Sequence, residues 1–291
     1  MSTLNKQVWI AQIMEKYYPE ASFLTHAKDF SQFVDNDIIN LAEAGVDPDV
    51  LVNNTAYPIN VVERTDSPLG IELDLFETEN TLIRRPHTIE LAYDKLESVV
   101  MGHRNSLRAK TSTKAAHAFA PQSNTVNTPI LETTGDNDGE GNKRLIPENI
   151  LKLKRKYDDL DYPLDKRFLI LDPRHVEDLL IYDLKLFKDI VDLTNGQPKR
   201  FAGFNILQFT KNPLYTSANE KKPWGSAAVP TDKFSSFSFY GDEVMRAVGS
   251  MHMYATENDA KERGTIVGFD MRFIGMPIRN KGIGSILSGK I

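Results

Sequence analysis

The sequence predicts an α+β fold, in which helices and strands follow one another in irregular order. Residues 88–118 place apolar side chains at helical spacing and form the longest such pattern in the chain. Residues 71–75 instead alternate apolar and acidic side chains with the period of a strand. No internal repeat is present, and the irregular order argues against a wound parallel sheet. A chain of 291 residues is long enough for one large domain or two medium ones.

The N-terminal residues are predicted to be helical. Apolar stripes with helical spacing run through residues 6–18 and 23–34. A third helix is predicted to begin at Asn36 or Asp37 and to end at Gly45, because glycine often follows the last helical residue.

A long β-hairpin is predicted at residues 58–86, with its turn at residues 65–70. About half of this segment is polar or charged. The hairpin therefore lacks the apolar residues that it needs to bury itself on its own body.

The long helix at residues 88–118 has further helical signals. Thr88 is a candidate N-cap, and acidic residues lie early and basic residues late, which suits the helix dipole. At about 1.5 Å per residue, such a helix is roughly 30–45 Å long. Residues 111–143 include a run rich in glycine and acidic residues, and they predict a mobile surface loop.

The second half of the chain predicts mixed elements. Pro147 begins a helix, and residues 167–171 form a buried strand that is followed by Asp172 as helix cap and Pro173 as first helical residue. Further strands are predicted within residues 201–209 and 264–278. Residues 234–251 predict a strand, a turn at Gly241 and then a helix, whose buried side chains are Val244, Ala247, Val248 and Met251.

Composition excludes several kinds of chemistry. The chain has no cysteine, so thiolate catalysis, disulfides and cysteine-bound zinc are excluded. Its net charge of −5 gives no sign of a general nucleic-acid-binding surface. No apolar run approaches the length of a membrane span, and the N-terminus lacks the apolar region of a signal peptide.

Two short motifs fail as ligand sites. The final residues, GSILSGKI, match a phosphate loop except that Ile291 replaces the Ser or Thr that binds Mg²⁺. Asp136, Asp138 and Glu140 are spaced as in a calcium loop, but Pro147 stands where a bidentate Glu is required. We therefore predict no metal and no cofactor.

The six histidines suggest no catalytic group. His103 lies on the apolar stripe of the long helix, where a core histidine is expected. His175 follows Asp172 by three residues, which allows an acid–base pair, but helix capping by Asp172 is the simpler interpretation. No catalytic residue is predicted, and the protein is not expected to be an enzyme.

The order of elements resembles a known family. The charged hairpin and long helix are followed by RFLILDPRHVEDLL, FAGFNILQF, FSFYGDEVMRAVG and finally GTIVGFDMRFIGMPIRNKGIGSILS. This order is similar to that of the major capsid proteins of tailed bacteriophages, which have the Hong Kong 97-type fold. The resemblance covers about residues 57–288.

The resemblance implies a division into five parts. Residues 1–57 are a helical N-terminal arm, and residues 58–86 are the extended hairpin called the E-loop. Residues 87–144 are the spine helix and its following loop in the peripheral domain. Residues 145–251 are the axial domain, and residues 252–291 are closing strands shared by the two domains.

The resemblance also implies how the hairpin is buried, because in this family it reaches over a neighbouring subunit. Its charged residues then become candidate intersubunit contacts: Arg64, Asp66, Glu72, Asp74, Arg84 and Arg85. Some members of the family lock the shell with covalent Lys–Asn bonds from the hairpin. Residues 58–86 contain no lysine, so this chemistry is not expected here.

The implied function is self-assembly into hexamers and pentamers of an icosahedral shell. Separate scaffolding, portal and decoration proteins are expected partners, and packaged double-stranded DNA is expected to make weak non-specific contacts. The protein would be made in the host cytoplasm and located in the virion capsid, with no membrane contact. Three alternatives stay open: an encapsulin-type shell, another virion or tail protein, and a carboxylate-dependent hydrolase acting near Asp172 and His175.

Overall fold

The structure, a computed structural model, describes residues 7, 10–11, 22–43, 67–84, 95–186, 191–192, 197–198 and 200–291. Helices with both ends in these residues are α1 (Lys95–Phe119), α2 (Pro147–Asp158) and α3 (Pro173–Leu186). The strands are β1 (Lys28–Asp29), β2 (Val34–Asp35), β3 (Ile38–Glu43), β4 (Ser67–Glu72), β5 (Asp74–Glu77), β6 (Thr81–Arg84), β7 (Ile130–Glu132), β8 (Arg167–Leu171), β9 (Val191–Asp192), β10 (Gln197–Pro198), β11 (Asn205–Gln208), β12 (Ser235–Tyr240), β13 (Val244–Asp259), β14 (Gly264–Pro277) and β15 (Ile283–Leu287).

The first five-stranded sheet is built around the antiparallel hairpin of β13 and β14. Strand β1 pairs with β13, and β5 and β6 pair with successive parts of β14. Helix α1 lies across one face, against the buried side chains of Val267, Phe269, Met271 and Phe273. The approach is so close at Gly275 that an added Cβ would lie 2.8 Å from the Ala115 Cβ.

The second five-stranded sheet, in the order β11-β8-β12-β15-β7, has both faces covered. Phe168 and Ile170 of β8 join the same core cluster as α1, whereas Leu169 joins a cluster with α2 and α3. The alternation follows from the period of two along a strand. This sheet is therefore the middle layer of the molecule, between the two shorter helices and α1.

Several sequence predictions are confirmed. Helix α1 covers the predicted long helix from Lys95 onward, while Thr88 lies outside the described residues. The helix that begins at Pro147 and the strand at 167–171 are present, as is the strand at 264–277. Of the helix predicted at 6–18, residues 7, 10 and 11 are described, and they are helical.

The second and third helices predicted in the N-terminal region, at residues 23–34 and from Asn36 or Asp37 onward, are wrong. Residues 23–34 form two short 3-10 helices, Phe23–His26 and Ser31–Phe33, with β1 between them. The Asp29 side chain accepts hydrogen bonds from the Ser31 backbone and hydroxyl at the start of the second one. Asn36 and Asp37 have φ of 49° and 62°, a turn conformation that these residue types tolerate, and they lead into strand β3 instead of a helix.

The predicted helix after Gly241 is also wrong, because these residues belong to β13. A β-bulge between Val248 and Met251 inserts one extra residue into this strand. Val244 and Val248 therefore face the large core before the bulge, and Met251 faces it afterwards. The resulting spacing imitates that of a helix. Pairing with β14, which is distant in sequence, determines the actual structure.

The region predicted as a loop is more ordered than expected from its composition. Residues 111–119 belong to α1, and β7 pairs with β15 in the second sheet. The turn predicted at residues 65–70 is wrong, since Ser67–Glu72 is a strand. No strand within residues 67–84 pairs with another strand of that range.

Candidate intersubunit arm

Strands β3 and β4 form an antiparallel pair, here named the arm (residues 38–43 and 67–72). Ile38 pairs with Glu72 and Glu43 pairs with Ser67. Strand β2 covers the other edge of β3, whereas β4 has no second partner strand in the described part of the chain. Apart from β2 and one another, the arm strands contact the other described elements little. A strand edge without a second partner offers its N–H and C=O groups for pairing with another chain.

An apolar cluster anchors the base of the arm to the first sheet. Ile39 of β3 is fully buried, and so is Leu73, which directly follows β4. Both pack with Met245 and Ala247 on the face of β13 opposite the large core. The two chain segments that enter and leave the arm are therefore held at one place.

Hydrogen bonds fix the same place, here named the arm root (Asp37, Leu73, Ser250 and Arg272). The Ser250 backbone N–H and hydroxyl donate to Asp37 Oδ1 at 3.1 and 2.8 Å. Arg272 Nη1 donates to the Leu73 carbonyl at 3.1 Å, and Leu73 N–H donates to the Asp37 carbonyl at 3.0 Å. The hydrogen bond from the Ser250 backbone lowers the pKa of Asp37.

The bulge in β13 makes room for the arm root. A Cβ on Gly249 would lie 2.7 Å from Asp37 Oδ1 and 2.9 Å from Leu73 Cδ2. Glycine at this position lets the carboxylate reach the backbone of Ser250. Sequence reasoning missed the arm root, although the turn-forming pair Asn36–Asp37 was a signal for it.

The structure places the predicted contact residues at separate points. Glu72 is exposed at the end of β4. The Asp74 carboxylate lies 2.9 Å from Lys114 Nζ of α1, and both side chains are partly exposed. Arg84 is the last residue of β6. Arg64, Asp66 and Arg85 lie outside the described residues.

Asp74 and Arg84 do not share one cluster. Asp74 pairs with Phe273 and Arg84 with Gly264 on the same strand, β14. Nine residues of strand separate these partners, which corresponds to roughly 30 Å. If both residues contact a neighbour, they do so at opposite ends of the sheet.

The Asp172 and His175 side chains form no acid–base pair. Asp172 Oδ1 accepts the Arg174 N–H at 3.0 Å, as the predicted helix cap requires. His175 is buried between two hydroxyls, with Nδ1 2.6 Å from Ser236 Oγ and Nε2 2.9 Å from Ser288 Oγ. Burial lowers the pKa of His175 to about 4. The histidine has a structural role on the buried face of α3, which removes the basis of the hydrolase hypothesis.

The residues of the calcium-loop-like and phosphate-loop-like motifs also make contacts within the protein. Asp138 accepts hydrogen bonds from Glu140 N–H and Asn142 N–H, and no metal-binding cluster of His, Asp or Glu occurs in the described residues. Lys290, the lysine of the phosphate-loop-like motif, donates from Nζ to Asn142 Oδ1 at 2.7 Å. None of the described helices is both long and apolar enough to span a membrane.

Several solved capsid and particle structures are similar to this chain. The capsid structure of cyanophage P-SCSP1u aligns over 91% of this chain and 87% of its own, with 14% identity and a TM-score of 0.65. The head structure of Helicobacter pylori bacteriophage KHP40 aligns over 91% and 87%, with 11% identity and a TM-score of 0.56. A virus-like particle from Pyrococcus furiosus aligns over 97% and 96%, with 10% identity and a TM-score of 0.52.

The chain has the fold of phage capsid proteins. This likeness of the overall fold confirms the α+β class and the Hong Kong 97-type resemblance that the sequence indicated. No family model matches the chain, and no curated protein matches its sequence. Three-dimensional structure therefore preserves this capsid fold where pairwise sequence comparison detects nothing.

Proposed function

We propose that this chain is a major capsid protein, whose copies form hexamers and pentamers of an icosahedral shell around a phage genome. The likeness to a cyanophage capsid over 91% of the chain carries the proposal. The arm supports it, because β4 has a free edge in the described residues and a neighbouring copy can cover that edge. The virion capsid is the proposed location, after synthesis in the host cytoplasm.

The E-loop of this proposal consists of the arm strands with residues 44–66 between them, and not of the predicted hairpin alone. Arg64, Asp66, Glu72, Asp74, Arg84 and Arg85 remain the proposed charged contacts. Asp74 would contact a neighbouring copy either in addition to its ion pair with Lys114 or in place of that pair. Each exposed ion pair contributes about 0–1 kcal/mol, so apolar burial and the many copies must supply most of the shell's stability.

Further partners complete the proposal. Scaffolding is provided by a separate protein, and portal and decoration proteins join the shell. The enclosed double-stranded DNA makes weak, non-specific contacts with the inner wall. The spine, axial and closing parts keep the boundaries predicted from the sequence, whereas the N-terminal arm, predicted at residues 1–57, ends before β3 in this proposal.

A second candidate is the shell of an encapsulin-type compartment that encloses no genome. The alignment with the virus-like particle, which covers 97% of this chain, favours it over a tail protein. Nucleic acid inside purified particles distinguishes a capsid from such a compartment.

Expression of the chain with and without its neighbouring gene products tests the proposal. We expect megadalton particles in sedimentation and closed shells in negative-stain images when a scaffolding protein is present. Closed shells from this chain alone would contradict the separate scaffold. A small soluble oligomer under every condition would contradict the capsid function, and open rings or trimers would indicate a tail protein.

A further inference from the structure

Three side chains that can react with one another meet at the β7 edge of the second sheet. Lys233 Nζ donates to Asn219 Oδ1 at 2.7 Å and to Glu132 Oε1 at 2.8 Å. Asn219 Nδ2 donates to the same Glu132 oxygen at 2.7 Å. An amine, an amide and a carboxylate are therefore in mutual contact. These three residues are here named the Lys–Asn–Glu triad.

Backbone hydrogen bonds hold each member of the triad in place. Glu132 is the last residue of β7, which pairs with β15. Lys233 exchanges two backbone hydrogen bonds with Tyr215, at 2.8 and 3.1 Å. Asn219 N–H donates to the Thr216 carbonyl at 3.0 Å in a tight turn, where φ of 64° suits an asparagine. Fixed positions of this kind favour a reaction between neighbouring groups.

The Lys233 amine lies in an unfavourable place for a charge. Its side chain is 7% exposed, whereas that of Glu132 is 42% exposed. A buried ammonium loses its hydration, and Glu132 is the one acidic ion-pair partner of Lys233 among the described residues. A neutral amide at the same position would avoid this desolvation cost. The exposed side of Glu132 also leaves a small product a path to solvent.

The distances in the triad suit an attack of the amine on the amide. Because a C=O bond is about 1.23 Å long, Asn219 Cγ lies within about 3.9 Å of Lys233 Nζ. Glu132 Oε1 contacts both the nitrogen that must lose protons and the nitrogen that must gain them. The hydrogen bond from Lys233 lowers the pKa of Glu132, so this group is a carboxylate that can accept a proton.

We propose that Lys233 and Asn219 form an isopeptide bond within one chain, with Glu132 as the proton carrier. Glu132 takes a proton from the Lys233 ammonium, and the neutral Nζ attacks Asn219 Cγ. The Nζ–Cγ bond forms and the Cγ–Nδ2 bond breaks. Two protons pass from Nζ to Nδ2 through Glu132, which ends as a carboxylate again, and Nδ2 leaves as an ammonium ion. The reaction consumes no oxidant, metal or second reactant.

The bond would close residues 219–233 into a covalent ring at the end of α1. Within this ring, Lys221 Nζ donates to the carbonyls of His117 and Ala120 at 2.8 and 2.6 Å. The ring therefore attaches the last turn of α1 to the edge of the second sheet. It joins one chain to itself and lies outside residues 58–86, so it differs from the shell-locking bonds of the hairpin. The inference does not depend on assembly.

Mass spectrometry of the purified full-length chain tests this proposal. We expect an intact mass lower than that of the sequence by one ammonia molecule. Trypsin should release a branched peptide in which Lys233 is joined to Asn219. Proton transfer from an ammonium to a carboxylate is uphill, so the linked fraction should increase with incubation time, and faster at about pH 9 than at about pH 7.

Three variants test the role of each member of the triad. Lys233→Arg keeps the charge and Asn219→Ala removes the amide, and both should keep the full mass of their sequences. Glu132→Gln keeps a hydrogen-bonding group of the same size but cannot carry protons, so linking should be slower by about 10²- to 10⁴-fold. Circular dichroism establishes that each variant is folded.

A second lysine–asparagine contact supplies the matched control. Lys290 Nζ donates to Asn142 Oδ1 at 2.7 Å, and Asn142 Nδ2 donates to Asp138 Oδ2 at 2.8 Å. However, Asp138 and Lys290 form no ion pair in the part of the chain that the structure describes. Without a carboxylate that contacts both nitrogens, this pair should stay unlinked. Lys290→Arg should therefore lose ammonia as the wild type does.

The wild type alone can overturn the proposal. Its full sequence mass under every condition would show that the triad is only a network of hydrogen bonds and an ion pair. Loss of ammonia without a branched peptide would also refute the bond, because Asn219 can instead close a succinimide ring on its own backbone. Shell formation is measured on the same sample. Shells of unlinked chains refute this inference alone, whereas linked chains that never form shells refute the proposed function alone.

Discussion

The two five-stranded sheets are stabilised in different ways. In the second sheet, every residue of β8, β12 and β15 is buried, because helices cover one face and the large core covers the other. In the first sheet, α1 covers one face of β14, while His252 and Tyr254 of β13 are more than half exposed. The arm root is attached to this less covered sheet. We infer that the second sheet determines the stability of the monomer and that the first sheet presents surfaces for assembly.

The largest expected effect is at the layer where α1 meets both sheets. Phe119 is fully buried, and its ring centroid lies 5.9 Å from that of Phe23 and 5.3 Å from that of Phe239. Phe119→Ala should lower the free energy of unfolding by about 3–5 kcal/mol, because it leaves a cavity in this layer. Chemical denaturation measures the change. Leu151→Ala on the exposed face of α2 is the control, with an expected change below about 0.5 kcal/mol. Equal effects of the two substitutions would contradict this view of the core.

The second effect concerns pH and the buried histidine of α3, His175. The folded pKa of His175 is lowered to about 4 from 6.5, so the folded state resists protonation that the unfolded state accepts. Stability from this group is therefore complete above pH 6.5 and decreases as the pH falls toward 4. The total is about 3 kcal/mol, and the slope reaches about 1.4 kcal/mol per pH unit.

Denaturation of wild type and His175→Gln between pH 7 and pH 4 measures this slope. The variant is expected to be less stable at pH 7, but its stability should depend less on pH. Other titrating groups contribute to both curves, so the difference between the slopes is the quantity to compare. Parallel curves would show that His175 is not a neutral buried group.

Sequence reasoning succeeded where local signals and tertiary structure agree. The run at 167–173 has a continuous apolar strand, a capping Asp172 and Pro173 at the first helical position, and each has its predicted place. It failed where distant pairing decides. The apolar spacing of β13 reflects a bulge opposite β14, and β3 finds its partner β4 across residues 44–66.

The third effect separates assembly from stability at the arm root. Asp37→Asn removes the charge that faces Arg272 and weakens the acceptor for Ser250, at a cost of about 1–2 kcal/mol. We expect a small change in Tm but a clear loss of particles in sedimentation, because the arm is no longer held at a fixed angle. Asp35→Asn, an exposed residue two positions earlier, is the matched control. Normal assembly of Asp37→Asn would show that the arm root does not position the arm.

The smallest effect per copy is at the end of β4. Glu72 is exposed, and no hydrogen bond or ion pair of its side chain occurs in the described residues, so Glu72→Lys should change the Tm of the unassembled chain very little. In a shell, the reversed charge would disturb one contact of about 0–1 kcal/mol in every subunit. A lattice multiplies such a change over its many contacts, so the protein concentration needed for assembly should rise measurably, and more at low than at high salt. Glu79→Lys, on the exposed turn between β5 and β6, is the control. If both substitutions shift assembly equally, net charge and not a contact at the arm explains the result.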